Sequence, residues 1–344
     1  MTKAIKIAVV FAGQGAQYPG MGKSLYDASA AARTVFDEAG AEIRDKCFFA
    51  SADELKETST TQPAVYTVDM AAWAALTERL NLSSATFGNL QTGVLRIGGV
   101  AGFSLGEYAA LTAAGVIPDV RTGYALVCAR GMLMTASGRY PDGSPRGMMA
   151  AVLGSVSDIL KLVESAREED VLEAVNFNSA SQTVIAGDTR AIARFGEKAK
   201  IAGVKVKVIP LAVSTAFHSP IMNEASDGLA EIAKEFTFGS ALYPVYLNLS
   251  GETLDTYGTG AEEYQEKIRA ILTAQVKSPV YWQKTVENLV KAGAAAIIEI
   301  GPGKTLTGLT KKTVPNMLAL HVEDEETLNE TIAALDDLCG NREE

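Results

Sequence analysis

Residues 94–115 read VLRIGGVAGFSLGEYAALTAAG: a strand-like run, then Gly102-Phe103-Ser104-Leu105-Gly106, then the opening of a helical pattern. A serine flanked by glycines between a strand and a helix is the setting of a nucleophile elbow. The glycines let the chain turn sharply without Cβ collisions, which holds the serine hydroxyl out at the carboxyl end of the strand. Leu105 then offers its backbone N–H, and the helix start a partial positive charge, to a developing oxyanion. The bare pattern GxSxG also describes a tight turn with a capping serine. The strand before it and the helix after it point to the catalytic reading.

Outward from the elbow, short β-rich runs alternate with helical patterns: strand 5–11, helices 24–44 and 62–80, strand 94–101, helices 105–114 and 119–137. This alternation predicts an α/β domain with a largely parallel sheet. After the turn-rich SGRYPDGSPRG at 137–147 the rhythm changes to strand 147–153, helix 155–166, strands 171–177 and 181–186, helix 188–202 and strand 204–209. That order is the split βαβ, or ferredoxin-like, unit. From about 213 the first rhythm resumes, with strands near 243–248, 295–300 and 316–320. The expected organisation is a large α/β domain made of 1–142 and 213–344, with a ferredoxin-like βαββαβ subdomain inserted at 143–212. No fixed-period repeat or low-complexity segment interrupts it.

With 344 residues, 47% of them hydrophobic, the chain has apolar material for one large core and a satellite unit. A net charge of -10 opposes nonspecific binding to nucleic acid, so an acidic partner must be met by a local basic patch. Cys47, Cys128 and Cys339 are far apart and in no metal or redox spacing, which predicts free thiols in a reducing compartment. Lys3 and Lys6 before the apolar run Ile7 to Ala12 imitate a signal peptide, but the run is too short. No later run approaches the roughly 18 apolar residues a bilayer requires. A cytoplasmic chain with no membrane association is expected.

Two motifs imitate nucleotide sites. Gly301-Pro302-Gly303-Lys304-Thr305 resembles the end of a phosphate loop, but Ile298 stands where its first glycine belongs. Gly13-Gln14-Gly15 fails as a dinucleotide fingerprint because Tyr18 takes the third glycine's place. The two histidines are too distant for a metal cluster.

A serine hydroxyl needs a base, and histidine has the pKa suited to it near neutrality. His321 precedes the acidic run Glu323 to Glu326 and reads as a solvated surface residue. His218 lies in Thr215-Ala216-Phe217-His218-Ser219-Pro220, after a strand and ahead of a proline. A lone loop histidine is more often structural. If Ser104 is catalytic and uses histidine, however, His218 is nearly forced.

The chain resembles the malonyl-CoA:acyl carrier protein transacylases and the related acyltransferase domains of polyketide synthases. The matching segments are FAGQGAQYPGMG at 11–22, GFSLGEY at 102–108, ARGMLM at 129–134, NFNSASQTVIAG at 176–187, AFHSPIM at 216–222, QVKSPVYW at 275–282 and EIGPGKTLTGL at 299–309. The resemblance implies a hydrolase-like α/β domain with a ferredoxin-like subdomain. It implies transfer of malonyl from malonyl-CoA to acyl carrier protein through a malonyl-serine, in fatty acid biosynthesis, with malonyl-CoA as substrate and no bound cofactor. By position, Ser104 matches the nucleophile, His218 the base, and Gln275 the place where a backbone carbonyl orients the imidazole. Gln14 matches the second oxyanion donor beside Leu105. Arg130 matches the residue that grips the free carboxylate, a role suited to the flat, permanently charged guanidinium. Read alone, Arg130 would be a surface arginine on an amphipathic helix. Phe217 matches the aromatic residue that accompanies malonyl selectivity. The chain is expected to act as a monomer.

Three features depart from the family pattern. Phe103 stands where histidine is usual, 81–97 is a lengthened approach to the elbow, and 137–147 is an enlarged turn near the expected cleft mouth. Two other classes fit part of the pattern: a hydrolase or thioesterase with the same dyad, and a silent subunit that only docks a carrier. Within the transferases, a discrete polyketide-pathway enzyme fits as well. For an acidic carrier, helical spacing puts Arg190, Arg194 and Lys198 on one face, followed by Lys205 and Lys207, with Lys304, Lys311 and Lys312 as an opposite wall.

Overall fold

The first strand, Ile5–Phe11 (β1), is apolar along almost its whole length because it is central: it pairs in parallel with strands on both sides and is buried except at the half-buried Lys6. In this computed structural model residues 4–80, 95–213, 215–255 and 260–340 are described, so most of the lengthened approach 81–97 lies outside the described residues. The predicted helix 24–44 is three helices, Lys23–Ala28 (α1), Ala30–Ala39 (α2) and Ala41–Phe49 (α3). Ser29 turns extended and caps α2 through the Ala32 N–H at 3.0 Å, and Gly40 breaks the next junction with a φ of 101°. The long buried helix Thr58–Arg79 (α4) follows, then Leu95–Gly102 (β2), Gly106–Ala113 (α5) and Val120–Ser137 (α6).

The next elements are Met148–Leu153 (β3), Val156–Arg167 (α7), Leu172–Ser179 (β4), Gln182–Gly187 (β5), Thr189–Ile201 (α8) and Lys207–Pro210 (β6). The chain then returns through Asn223–Ala233 (α9), Val245–Tyr246 (β7), Ala261–Gln275 (α10), Trp282–Lys291 (α11), Ala296–Ile300 (β8), Thr305–Thr313 (α12), Leu318–Val322 (β9) and Glu325–Gly340 (α13).

Two sheets result. Strands β7-β2-β1-β8-β9 form an all-parallel sheet, and β4-β5-β3-β6 form an antiparallel sheet in the ferredoxin-like order. One face of the antiparallel sheet packs on α7 and α8 through Ala150, Val152, Ile159, Ile185 and Phe195. Its other face, with Met149, Ala151 and Val184, packs toward Met134, Phe217 and Val276. Backbone hydrogen bonds from Phe177 N–H to Val280 O (2.9 Å) and from Val280 N–H to Val175 O (2.8 Å) tie β4 to the segment after α10. Because the loops leaving β1, β2 and β8 emerge at one edge of the parallel sheet, the cleft opens beyond the carboxyl ends of those strands, the usual ligand position in such sheets.

The predicted basic face on α8 differs from expectation. Arg190 and Arg194 are both paired with Asp170, and Lys198 lies 3.3 Å from Glu168. Helical periodicity put the cations on one side correctly, but these acids sit in the turn after α7, where periodicity of α8 carries no information. Lys304, Lys311 and Lys312 form no ion pair among the described residues. Among the described residues no helix is long and apolar enough to cross a membrane, and no group of three or more His, Cys, Asp and Glu could hold a metal.

Candidate active site

Ser104 sits between β2 and α5 with a φ of 52°, a left-handed conformation that costs a non-glycine residue about 1–3 kcal/mol. The flanking glycines make it possible. A β-carbon on Gly102 would collide with the Gly106 carbonyl group and the Glu107 nitrogen, and one on Gly106 with the Phe11 and Ala12 carbonyl oxygens. The serine backbone is held from both ends. Its N–H donates to Asn248 Oδ1 (2.7 Å), and its carbonyl accepts from Gln275 Nε2 (2.5 Å) and Glu107 N–H (3.1 Å). Asn248 Nδ2 donates to Gly102 O at 2.7 Å, and its N–H donates to Glu107 Oε1 at 2.8 Å. Neither the Asn248 side chain nor the Gln275 carboxamide was foreseen. Asn248 follows a two-residue strand, and no local pattern announces it.

His218 has a φ of 61° and is 4% exposed. Its Nδ1 lies 3.0 Å from Gln275 O and 3.1 Å from Ser278 O. Facing two carbonyl oxygens, Nδ1 must carry the proton, which leaves Nε2 as a bare acceptor for the Ser104 hydroxyl at 2.7 Å. Burial, then the Arg130 charge, push His218 down to about 4, while the two carbonyls pull the other way. A hydroxyl aimed at a neutral imidazole nitrogen is set for general-base removal of its proton.

Arg130, on α6, is only 1% exposed, against the surface position that its helix pattern suggests in isolation. It donates to Ser104 Oγ (3.1 Å) and Gln275 Oε1 (3.0 Å), and its guanidinium lies 5.4 Å from the Tyr108 ring centre. Its Nε has no partner, and it forms no salt bridge among the described residues. Burial pulls it below its ordinary range. Glu107 lies behind it, raised to about 7 by burial.

Gln14 has its side chain turned aside, donating to Thr58 Oγ1 at 3.1 Å. The backbone N–H groups of Gln14 and Leu105 make no hydrogen bond among the described residues. Gln14, Phe103, Ser104, Arg130, Phe217 and His218 line one cleft of about 490 Å³, within the range of small-ligand sites. Phe103 packs edge-on against Trp282 with ring centres 5.4 Å apart. The turn 137–147 closes on itself through Tyr140 N–H to Ser144 O (2.9 Å) and on Glu57 through Arg139 (3.1 Å), and contributes no lining residue. His321 is set apart, 3.5 Å from Glu323.

A parallel α/β sheet with a serine–histidine pair at its carboxyl edge and an antiparallel βαββαβ unit across the cleft suits acyl chemistry on a serine, and the family match makes it an acyltransferase. The chain belongs to the acyl transferase domain family, matched over residues 8–335, and within it to the malonyl-CoA:acyl carrier protein transacylases. The Bacillus subtilis malonyl CoA-acyl carrier protein transacylase is 35% identical over 336 residues, 96% of this chain and 97% of that protein. The Escherichia coli K12 protein of the same name is 35% identical over 319 residues, 91% and 94% of the two chains. The crystal structure of the Clostridium perfringens transacylase has a TM-score of 0.85 at 31% identity, covering 98% of this chain and 100% of that one. A type II PKS acyl-carrier protein in complex with its malonyl-transacylase matches at a TM-score of 0.83 and 33% identity, over 96% and 99% of the chains.

Proposed function

We propose that this protein moves a malonyl group from malonyl-CoA to the phosphopantetheine thiol of acyl carrier protein, in the cytoplasm and as a monomer, for fatty acid biosynthesis. The observation that carries the reading is a serine hydroxyl shared by a neutral histidine and a buried arginine that has no carboxylate of its own. Ser104 Oγ attacks the thioester carbonyl as His218 Nε2 takes its proton. The Gln14 and Leu105 N–H groups hold the oxyanion, an arrangement worth about 2.7–4 kcal/mol per donor in another serine enzyme. Collapse breaks the C–S bond, and the imidazolium returns the proton to the leaving CoA sulfur. The carrier thiol then runs the same steps in reverse. Gln275 serves twice, through its carbonyl on His218 and its carboxamide on Arg130 and Ser104. Phe217 borders the acyl group, where its ring disfavours a branched α-carbon. The large domain, 1–142 and 213–344, supplies the reacting groups, and the subdomain 143–212 the facing wall. The reaction needs no cofactor or metal.

Intact-mass measurement tests the reading: malonyl-CoA adds one malonyl group, and holo carrier protein removes it. Accumulation of free malonate without malonyl carrier would indicate a hydrolase instead. Parallel assays with fatty acid and type II polyketide carriers separate the two pathways.

The pH dependence follows from the His218 environment. Its reactive form is neutral, and a pKa near 4 keeps it neutral down to that value. The kcat/KM for acylation is therefore expected to stay flat on the acid side of neutrality and to fall only near pH 4, not near the ordinary 6.5 of imidazole. Glu107 titrates near 7 in the same cluster, so the profile is taken for the Glu107→Gln protein as well. An acid limb near 6.5 in both proteins would mean that His218 keeps its ordinary imidazole pKa despite its burial.

For carrier docking, the acid-paired α8 face gives way to Lys304, Lys311 and Lys312, with Lys205 and Lys207 opposite. Reversal of Lys311 and Lys312 to glutamate should slow carrier transfer several-fold, more at low salt, and leave acylation by malonyl-CoA nearly unchanged. Unchanged carrier transfer at low ionic strength would exclude this face.

A further inference from the structure

Behind the loop that carries Gln14 lies a carboxyl that no step above uses. Helix α4 is buried along most of its length, and Asp69 is the only charged residue in that buried stretch. It is fully buried, and neither of its oxygens has a hydrogen-bond partner among the described residues. Its seat is a notch in the loop after β8. A β-carbon on Gly301 would stand 1.8 Å from Asp69 Oδ1, and the glycine also holds a φ of 115°. A buried carboxyl with no partner is costly, and an apolar side chain would fill the same space without that cost.

The second carboxyl in this compartment is differently provided for. Glu299, on β8, is also fully buried, but its two oxygens accept the N–H groups of Leu306 (2.9 Å) and Thr307 (2.7 Å) at the start of α12. Burial raises Glu299 to about 7, with those N–H groups pulling it back. Burial, and then the Glu299 charge, hold Asp69 well above the usual carboxylate range. The first negative charge therefore settles on Glu299, and the proton on Asp69. The other titratable groups of the compartment are Tyr66, one turn earlier on α4, and Glu323, whose charge acts on Glu299. The turn 54–56 and helices α1, α2, α3, α5, α6 and α13 also pack on α4 and bring no charge to bear on Asp69.

From Gly301 the path to the reacting groups is short. The Ile300 carbonyl accepts the Ala12 N–H at 3.0 Å, and a β-carbon on Gly301 would lie 3.0 Å from Ala12 Cβ. Ala12 leads into Gly13 and Gln14. Gly13 sits against the backbone of Phe103, next to Ser104, where its own β-carbon would come within 2.4 Å of the carbonyl oxygen.

We propose that Asp69 is a positioning residue for the oxyanion loop: its neutral carboxyl seats Gly301, and through Ala12 the Gln14 N–H, and its ionisation unseats them. This rests on the oxyanion role given to Gln14 above. A second charge in the compartment meets no donor, because Glu299 takes both N–H groups at the start of α12. Repulsion between the two carboxylates then acts on the Gly301 loop against which Asp69 is packed. The active form is the protonated one, so activity is present at low pH and lost as pH rises through the Asp69 titration.

The test is the pH profile of kcat for acylation by malonyl-CoA, from about pH 6 to about pH 10, in native, Asp69→Asn and Glu299→Gln proteins. Native kcat should fall on the alkaline side by about tenfold per unit, toward the roughly 10²- to 10³-fold loss of a missing oxyanion donor, with KM unchanged. Asp69→Asn, neutral at every pH, should keep throughout the rate it has near neutrality. Glu299→Gln removes the charge that retains the proton, so its fall should move to lower pH by about one unit or more. A native profile with no alkaline fall, the same fall in Asp69→Asn, or an unmoved fall in Glu299→Gln would overturn the proposal. Thermal melts give a reading independent of catalysis. The folded chain binds the Asp69 proton more tightly than the unfolded chain, so native stability drops relative to Asp69→Asn as pH rises above the ordinary carboxyl range. The native melting temperature should slip further below that of the variant between about pH 5 and about pH 9, and a constant gap would also overturn the proposal. A native protein never acylated by malonyl-CoA at any pH is the separate failure of the functional reading.

Discussion

Ser104→Ala is expected to abolish the covalent malonyl-enzyme and to lower malonyl transfer by about four to six orders of magnitude, the scale seen when one member of a serine catalytic unit is removed. The loss should come without unfolding. Alanine at a φ of 52° bears the same backbone strain as serine, and the bonds from Asn248 and Gln275 hold the backbone of residue 104, not its side chain. Removing Oγ deletes only its contacts with His218 Nε2 and Arg130. A thermal melt within a few degrees of native, beside an intact-mass spectrum with no added malonyl group, is the expected pair of results. Comparable malonylation of the alanine protein would place the nucleophile elsewhere and end the proposed mechanism.

The parts of this site that were legible in the sequence are those whose constraints are local. The elbow is written within a few residues, because the collisions that demand Gly102 and Gly106 involve the turn itself and the end of β1. His218 was legible through scarcity, since the only other histidine precedes an acidic run. Arg130 was legible only through the family resemblance. Its burial depends on Tyr108 and Gln275, which its own helix pattern does not report. Asn248 was not legible at all: it reaches Ser104 across 144 residues of chain from a two-residue strand. The α8 face shows the same limit from the other side, since its cations were placed correctly and their acidic partners in a neighbouring turn were not. The helix predicted at 24–44 failed for a local reason, the extended backbone at Ser29 and the φ of 101° at Gly40.

Arg130→Ala is expected to reverse acyl preference. The guanidinium is 1% exposed and forms no salt bridge among the described residues. Its hydrogen bonds go to neutral oxygens on Ser104 and Gln275, and Nε is left over. Glu107 is the carboxyl whose charge acts on Arg130, but burial raises it to about 7, so it is partly protonated near neutrality. A malonyl carboxylate entering the cleft supplies the missing charge, whereas an acetyl group leaves the guanidinium buried and unpaired. Loss of such a pair costs about 3–5 kcal/mol, which at about 1.4 kcal/mol per tenfold corresponds to roughly two to three and a half decades in kcat/KM for malonyl-CoA. Acetyl-CoA gains no such pair in the native protein, so its kcat/KM should change by less than about tenfold, the scale of one neutral hydrogen bond at Ser104. Arg130→Lys should fall between, because ammonium restores the charge without the paired donors of the guanidinium fork. Steady-state acylation rates for both thioesters across the three proteins decide the matter. Equal losses for malonyl and acetyl would mean that Arg130 acts on the serine alone, and selection for the carboxylate would then have to lie elsewhere in the cleft.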